Sequence, residues 1–113
     1  MRIELQIDIQ DKRLGTELFA PATTVGPGTT AQAPGDAALE LREWYFRKGA
    51  GFHDTLTIIL SATKDLGVAL FASWLYDKLK GGRAKALRIN RTEVQIDQGA
   101  IRKIVTEQVK RDE

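Results

Sequence analysis

Few residues of this chain have chemistry to offer. Its 113 residues include one histidine and no cysteine, which removes thiolate metal sites, disulfide frameworks and any pair of histidine ligands. His53, followed by Asp54 ahead of an apolar run, is the one candidate general base. Such a base works through groups that converge on it. Nothing beside it supplies a nucleophile, so His53 reads as a loop residue. Ser61-Ala62-Thr63-Lys64 fits the S-x-x-K pattern, in which a lysine helps to deprotonate a serine nucleophile at the start of a helix. The companion S-D-N and K-T-G motifs are missing, and Ser61 has a simpler use as a helix N-cap. A small serine hydrolase is the most remote reading. The carboxylates form no paired motif, and neither glycine-rich phosphate-binding pattern occurs. The sequon Asn90-Arg91-Thr92 matters only in an exported chain. The expectation is a protein that is not an enzyme and that holds no metal or cofactor.

Positive charge is the second resource. Lys78, Lys80, Arg83, Lys85, Arg88 and Arg91 succeed one another with no acid between Asp77 and Glu93. Gathered on one side of a hairpin, they could contact phosphates, which makes a nucleic-acid-binding module the alternative function. No aromatic residue is interleaved to stack on bases, and no helix-turn-helix or RNP-like pattern is visible. A solvated rim is the plainer reading, and an acidic protein surface would be steered by the same charges. The imbalance is local. Met1 to Asp77 carries 7 basic and 10 acidic residues, Lys78 to Glu113 carries 10 and 5, and the sum is +2.

The elements that would position these groups centre on Ser61 to Gly82, the longest helical pattern. Leu66, Leu70 and Trp74 recur at helical spacing, with Val68, Phe71, Leu75 and Leu79 as a second stripe. Gly81 and Gly82 supply the stop, and Lys78 and Lys80 suit the negative end of the helix dipole. Nearly every direction from Leu66 to Tyr76 is apolar or small, more than a one-sided surface helix needs. The helix is either buried on two sides or keeps one stripe for a partner. Its apolar run, bracketed by Asp65 and Asp77, is too short to span a bilayer.

In chain order, Ile3, Leu5, Ile7 and Ile9 alternate with polar residues, which predicts a strand with one wet face. Leu14, Leu18 and Phe19 suggest a short helical turn. The segment 20–35 is uncharged and holds all three prolines; it reads as a mobile loop. Asp36 to Lys48 reads as an amphipathic helix capped by Asp36, with Leu39, Leu41, Trp44, Tyr45 and Phe46 on its apolar side and a Glu43–Arg47 pair. Three consecutive aromatics cannot all face one core at about 100° per residue, so at least one is partly exposed. Thr55 to Leu60 is a second strand. Ala86 to Ile89 and Val94 to Ile96 form a hairpin around Asn90 to Glu93. Asp97 caps a last helix with the stripe Ile101, Ile104, Val105 and Val109. The order β-α-β-α-β-β-α predicts a single α+β domain over 1–113, with a three- to four-stranded sheet covered mainly on one face by helices.

Composition agrees, with 42% hydrophobic and 28% charged residues, ordinary for a globular domain. The N-terminal MRIELQIDIQ has no signal-peptide core, so a cytoplasmic location is expected.

From Leu39 onward the layout resembles one family. The segment ALELREWYF, then a strand and the helix LGVALFASWLYDKL, the hairpin ALRINRTEVQID and a terminal amphipathic helix are similar to the effector-associated constant component proteins. These are small adaptor domains attached to bacterial conflict and signalling systems. The resemblance covers roughly two-thirds of the chain and implies a non-catalytic coupling role. The leading expectation is an adaptor or protein–protein interaction domain that binds another protein or itself. Trp44, Tyr45, Phe71 and Trp74 are its candidate contacts, since aromatic residues dominate interface energetics.

Overall fold

The computed structural model describes residues 1–46, 53–62 and 65–111. The alternating N-terminal run becomes strand β1 (Arg2–Ile9), followed by helix α1 (Arg13–Leu18), β2 (Thr30–Ala33), β3 (Ala37–Tyr45), β4 (Asp54–Ser61), α2 (Val68–Leu79), β5 (Ala84–Ile89), β6 (Thr92–Val94) and α3 (Gln98–Arg111). The strands form one antiparallel sheet in the order β2-β3-β4-β1-β5-β6.

Period-two patterning decides which face is covered. Ile3, Leu5, Ile7 and Ile9 of β1 point to the same side as Leu56, Ile58 and Leu60 of β4, and all are buried. Onto that side the helices lay Leu14 and Leu18 of α1, Phe71, Ala72, Leu75 and Leu79 of α2, and Ile101 and Val105 of α3. The opposite side keeps the wet residues Glu4, Gln6 and Asp8. The α+β class and the helices on one face are as expected, but the sheet has six strands rather than three or four.

Three expectations change. Asp36 to Lys48 is no helix: its described part is strand β3, paired with β4 on one side and with β2 over Ala37 to Glu40 on the other. Good helix formers yield because two ladders satisfy the backbone and because Ala37, Leu39 and Leu41 alternate into the core. Asp36, the expected cap, sits in the connecting turn at φ 59°. Arg47 of the expected Glu43–Arg47 pair lies outside the described residues.

The segment 20–35 is not loop throughout. It contains β2, and Gly28 N–H donates to the Leu41 carbonyl at 2.7 Å while Leu41 N–H donates to Thr29 at 2.9 Å. Finally, α2 begins at Val68. Ser61 is the last residue of β4, opposite Arg2 and Ala38, and so does not cap the helix.

Elsewhere the local signals hold, except that the second strand of the last hairpin runs Thr92–Val94 rather than Val94 to Ile96, because the turn takes only two residues. Gly81 and Gly82 follow α2 with positive φ, and Asp97 caps α3 by accepting the Ala100 N–H at 2.9 Å. The two-residue turn of the β5–β6 hairpin is Asn90-Arg91, both at positive φ, the conformation that a tight hairpin requires.

The start of α2 is fixed by a backbone-to-backbone approach. Gly67 N–H donates to the Gly35 carbonyl at 2.9 Å, and a Cβ on Gly35 would run into the Gly67 carbonyl. Gly35 also has φ +87°. Gly35→Ala therefore combines a strained φ with a clash and should cost about 1–3 kcal/mol in urea unfolding. Gly81→Ala, at φ +75° with open space around its Cβ, should cost about 1 kcal/mol.

Candidate protein-interaction site

Among the described residues the most exposed aromatics, Tyr45 and Phe46, lie at the end of β3, just past a bulge. Leu41 pairs with Ile58 and Glu43 with Thr57, so Arg42 is an extra residue in the ladder. One inserted residue exchanges the two faces for everything after it. Trp44 consequently turns to the core side opposite Leu56, and Tyr45 turns to the uncovered side opposite Thr55.

Trp44 is then held from several directions. Its indole N–H donates to the Asp54 carboxylate at 3.0 Å. Asp54 is only 2% exposed, and a buried carboxylate needs such donors. The indole edge covers Gly15 of α1, where an added Cβ would lie 2.5 Å from the ring. Phe46 stacks on Trp44 with ring centroids 5.2 Å apart and an interplanar angle of 13°. Trp44 is thus half-buried and serves as the base of the cluster. Tyr45 and Phe46 remain 55% and 64% exposed. Of the expected contacts, Tyr45 is exposed on the uncovered face, Trp44 lies on the other face and carries Phe46 instead, and Trp74 is half-buried on α2 with its ring 5.9 Å from Phe71. Phe71 is fully buried in the core.

The basic stretch is dispersed. Lys78 and Lys80 end α2, where Lys80 pairs with Asp77 at 3.2 Å and lies over the Tyr76 ring. Arg83 bridges Asp11 and Glu17, joining the start of β5 to α1. Arg88 lies on the uncovered sheet face, where its two Nη atoms donate to Asp8 at 2.9 and 3.2 Å and its Nε donates to Gln6. Glu17 first and then Asp11 hold the Arg83 guanidinium above its ordinary pKa, and Asp8 does the same for Arg88. Lys85 is the extra residue of a second bulge and lines a shallow open groove of about 480 Å³ with Glu93 and Gln95. Arg91 is exposed in the hairpin turn. The six cations are spread over α2, β5 and the turns that follow them, and Lys80, Arg83 and Arg88 are already paired with acids.

The remaining sequence candidates separate as well. Ser61 ends a strand, and Lys64 lies outside the described residues. His53 precedes β4. Asn90 is structural: its Oδ1 accepts the Glu4 N–H at 2.8 Å and its Nδ2 donates to Gln108 at 2.7 Å. Among the described residues no three His, Asp or Glu side chains gather as a metal site would require, and no helix is long and apolar enough to cross a membrane. Sequence reading missed Leu70, which is 63% exposed, and it missed that Phe46 outranks Trp44 as a surface residue. The parity of β3, had the bulge been visible, would have signalled the inward turn of Trp44.

Comparison with family models, with curated proteins and with solved structures finds no match to the chain.

Two outcomes test this geometry. Gly15→Ala should displace the Trp44 ring, lower stability by about 1–3 kcal/mol and shift the indole emission, read in a Trp74→Phe background. The second concerns acid. Arg13, hydrogen-bonded to Asp11, holds that carboxyl below the usual carboxylate range. A depressed carboxyl stabilises the fold above its unfolded-chain pKa and loses that contribution as pH falls through the folded value. Asp11→Asn should therefore melt slightly below the unaltered protein at neutral pH, with the gap closing below about pH 4. The effect is small because Arg13 is largely exposed.

Proposed function

We propose that this chain is a non-catalytic protein-interaction domain of the adaptor kind, which engages a partner protein through the Tyr45–Phe46 end of β3. The observation that carries this reading is two adjacent aromatic side chains, both more than half exposed, on a strand end that is held in place. Leaving such area in water forgoes about 25 cal/mol per Å². At Phe46 a partner recovers that energy at little ordering cost, because its ring already rests on the fixed Trp44. Glu43, beside Tyr45 on the same sheet face, suits positive charge at the partner's rim.

The resemblance to effector-associated constant component adaptors supports the same role, although ALELREWYF forms a strand here. Nucleic-acid binding has less support, because Lys80, Arg83 and Arg88 are paired with acids of their own chain. Catalysis has none in the S-x-x-K segment, since Ser61 does not open a helix.

The test is affinity capture from the native host with nuclease present, using the unaltered chain and a Tyr45→Ser/Phe46→Ser variant. Proteins retained by the first and lost by the second, at equal melting temperature, are the expected result. Identical captured sets would sink this surface, and capture abolished by nuclease alone would move the function to the basic residues.

A further inference from the structure

Leu70 is the third large apolar side chain that the described residues leave exposed, and it lies on a different element from Tyr45 and Phe46. The inner face of α2 is fully used by Phe71, Ala72, Leu75 and Leu79. At about 100° per residue, Leu70 shares the outer face with Ala69, Ser73, Trp74 and Asp77. Ala69 is also exposed, and Ser73 and Trp74 are half-buried. The first two turns of this face carry no charge. Charge returns only at its ends: Asp65 is exposed just before the helix, and Asp77, Lys78 and Lys80 stand at its close. Lys80 is paired with Asp77. Among the described residues, Lys78 has no acidic partner within its own chain.

We propose that a second copy of this chain covers this face, with α2 packed antiparallel on α2 across a two-fold axis near Leu70 and Ser73. A two-fold contact requires a surface complementary to itself, and this one is. Antiparallel pairing sets Leu70 against Ser73 and Trp74 against Ala69, large side chains against small ones. It also brings Asp65, in the segment that leads into one helix, toward Lys78 at the end of the other, twice by symmetry. A parallel pairing would set like charges together at both ends. The contact spans few helical turns, so its area falls at the low end of interface sizes, under about 1,200 Å². The dimer is accordingly weak and concentration-dependent. This inference does not rest on the Tyr45–Phe46 surface.

Sedimentation equilibrium across a wide concentration range tests it. The unaltered chain should rise from monomer to dimer mass. Leu70→Glu should remain monomeric with an unchanged far-ultraviolet spectrum and melting temperature, since Leu70 supports no core contact. Asp65→Lys and Lys78→Asp should each weaken association at least tenfold, and the two changes together in one chain should restore it. A chain that stays monomeric throughout, or a dimer that tolerates Leu70→Glu, overturns the proposal. Charge reversals that have no effect, or that fail to rescue each other, overturn the antiparallel arrangement.

Discussion

The alignment of β1 with β4 is the constraint on which the rest of the molecule depends. Eight residue pairs run without a slip from Arg2 and Ser61 to Ile9 and Asp54. A shift by one residue would send four isoleucine and leucine side chains of β1 into water. The two faces defend this register differently. On one, the apolar rows lie under all three helices. On the other, Asp8 accepts the Thr55 hydroxyl at 2.8 Å and both arms of Arg88, a polar seam running from β4 across β1 to β5. Neither helices nor hairpin would have a platform without this central pair.

Departures from that regular pattern produce the surface features. Each bulge resets parity in a strand that would otherwise continue it. At Arg42 the reset converts what would have been an outward Trp44 into the foundation of an aromatic cluster, and it directs Tyr45 to the uncovered side. At Lys85 it leaves a lysine out of the pairing and returns Leu87 to the core. The aromatic end of β3 and the open groove by β5 are therefore two results of one device.

Legibility from sequence followed the range of the forces. β1, β4, the β5–β6 hairpin and α3 were visible because their patterns are local and uninterrupted, and Asp97 and Gly81-Gly82 marked helix ends by local chemistry. β3 was hidden because Ala, Leu, Glu and Arg favour helix in isolation, and because the extra Arg42 broke the alternation that would have revealed a strand. β2 was hidden for the opposite reason. Thr30–Ala33 has almost no apolar content, and only pairing with Ala37 to Glu40 gives it structure. Of the aromatic candidates, the sequence could tell that one of Trp44, Tyr45 and Phe46 must be exposed. That Trp44 is the covered one depends on the bulge at Arg42 and on Gly15, far earlier in the chain.

The placement of β1 has a consequence for the time course of folding. Its neighbours are β4 and β5, which begin at Asp54 and Ala84, so both ladders close long loops. Their closure entropy must be met before any contact compensates it. The β2–β3 hairpin and the neighbouring helices can form early from nearby residues, whereas β1, made before the other five strands of its sheet, waits for β4 and β5. During that interval an alternating run of isoleucines and leucine has no partner, which makes β1 the segment of nascent chain that most needs shielding from other chains.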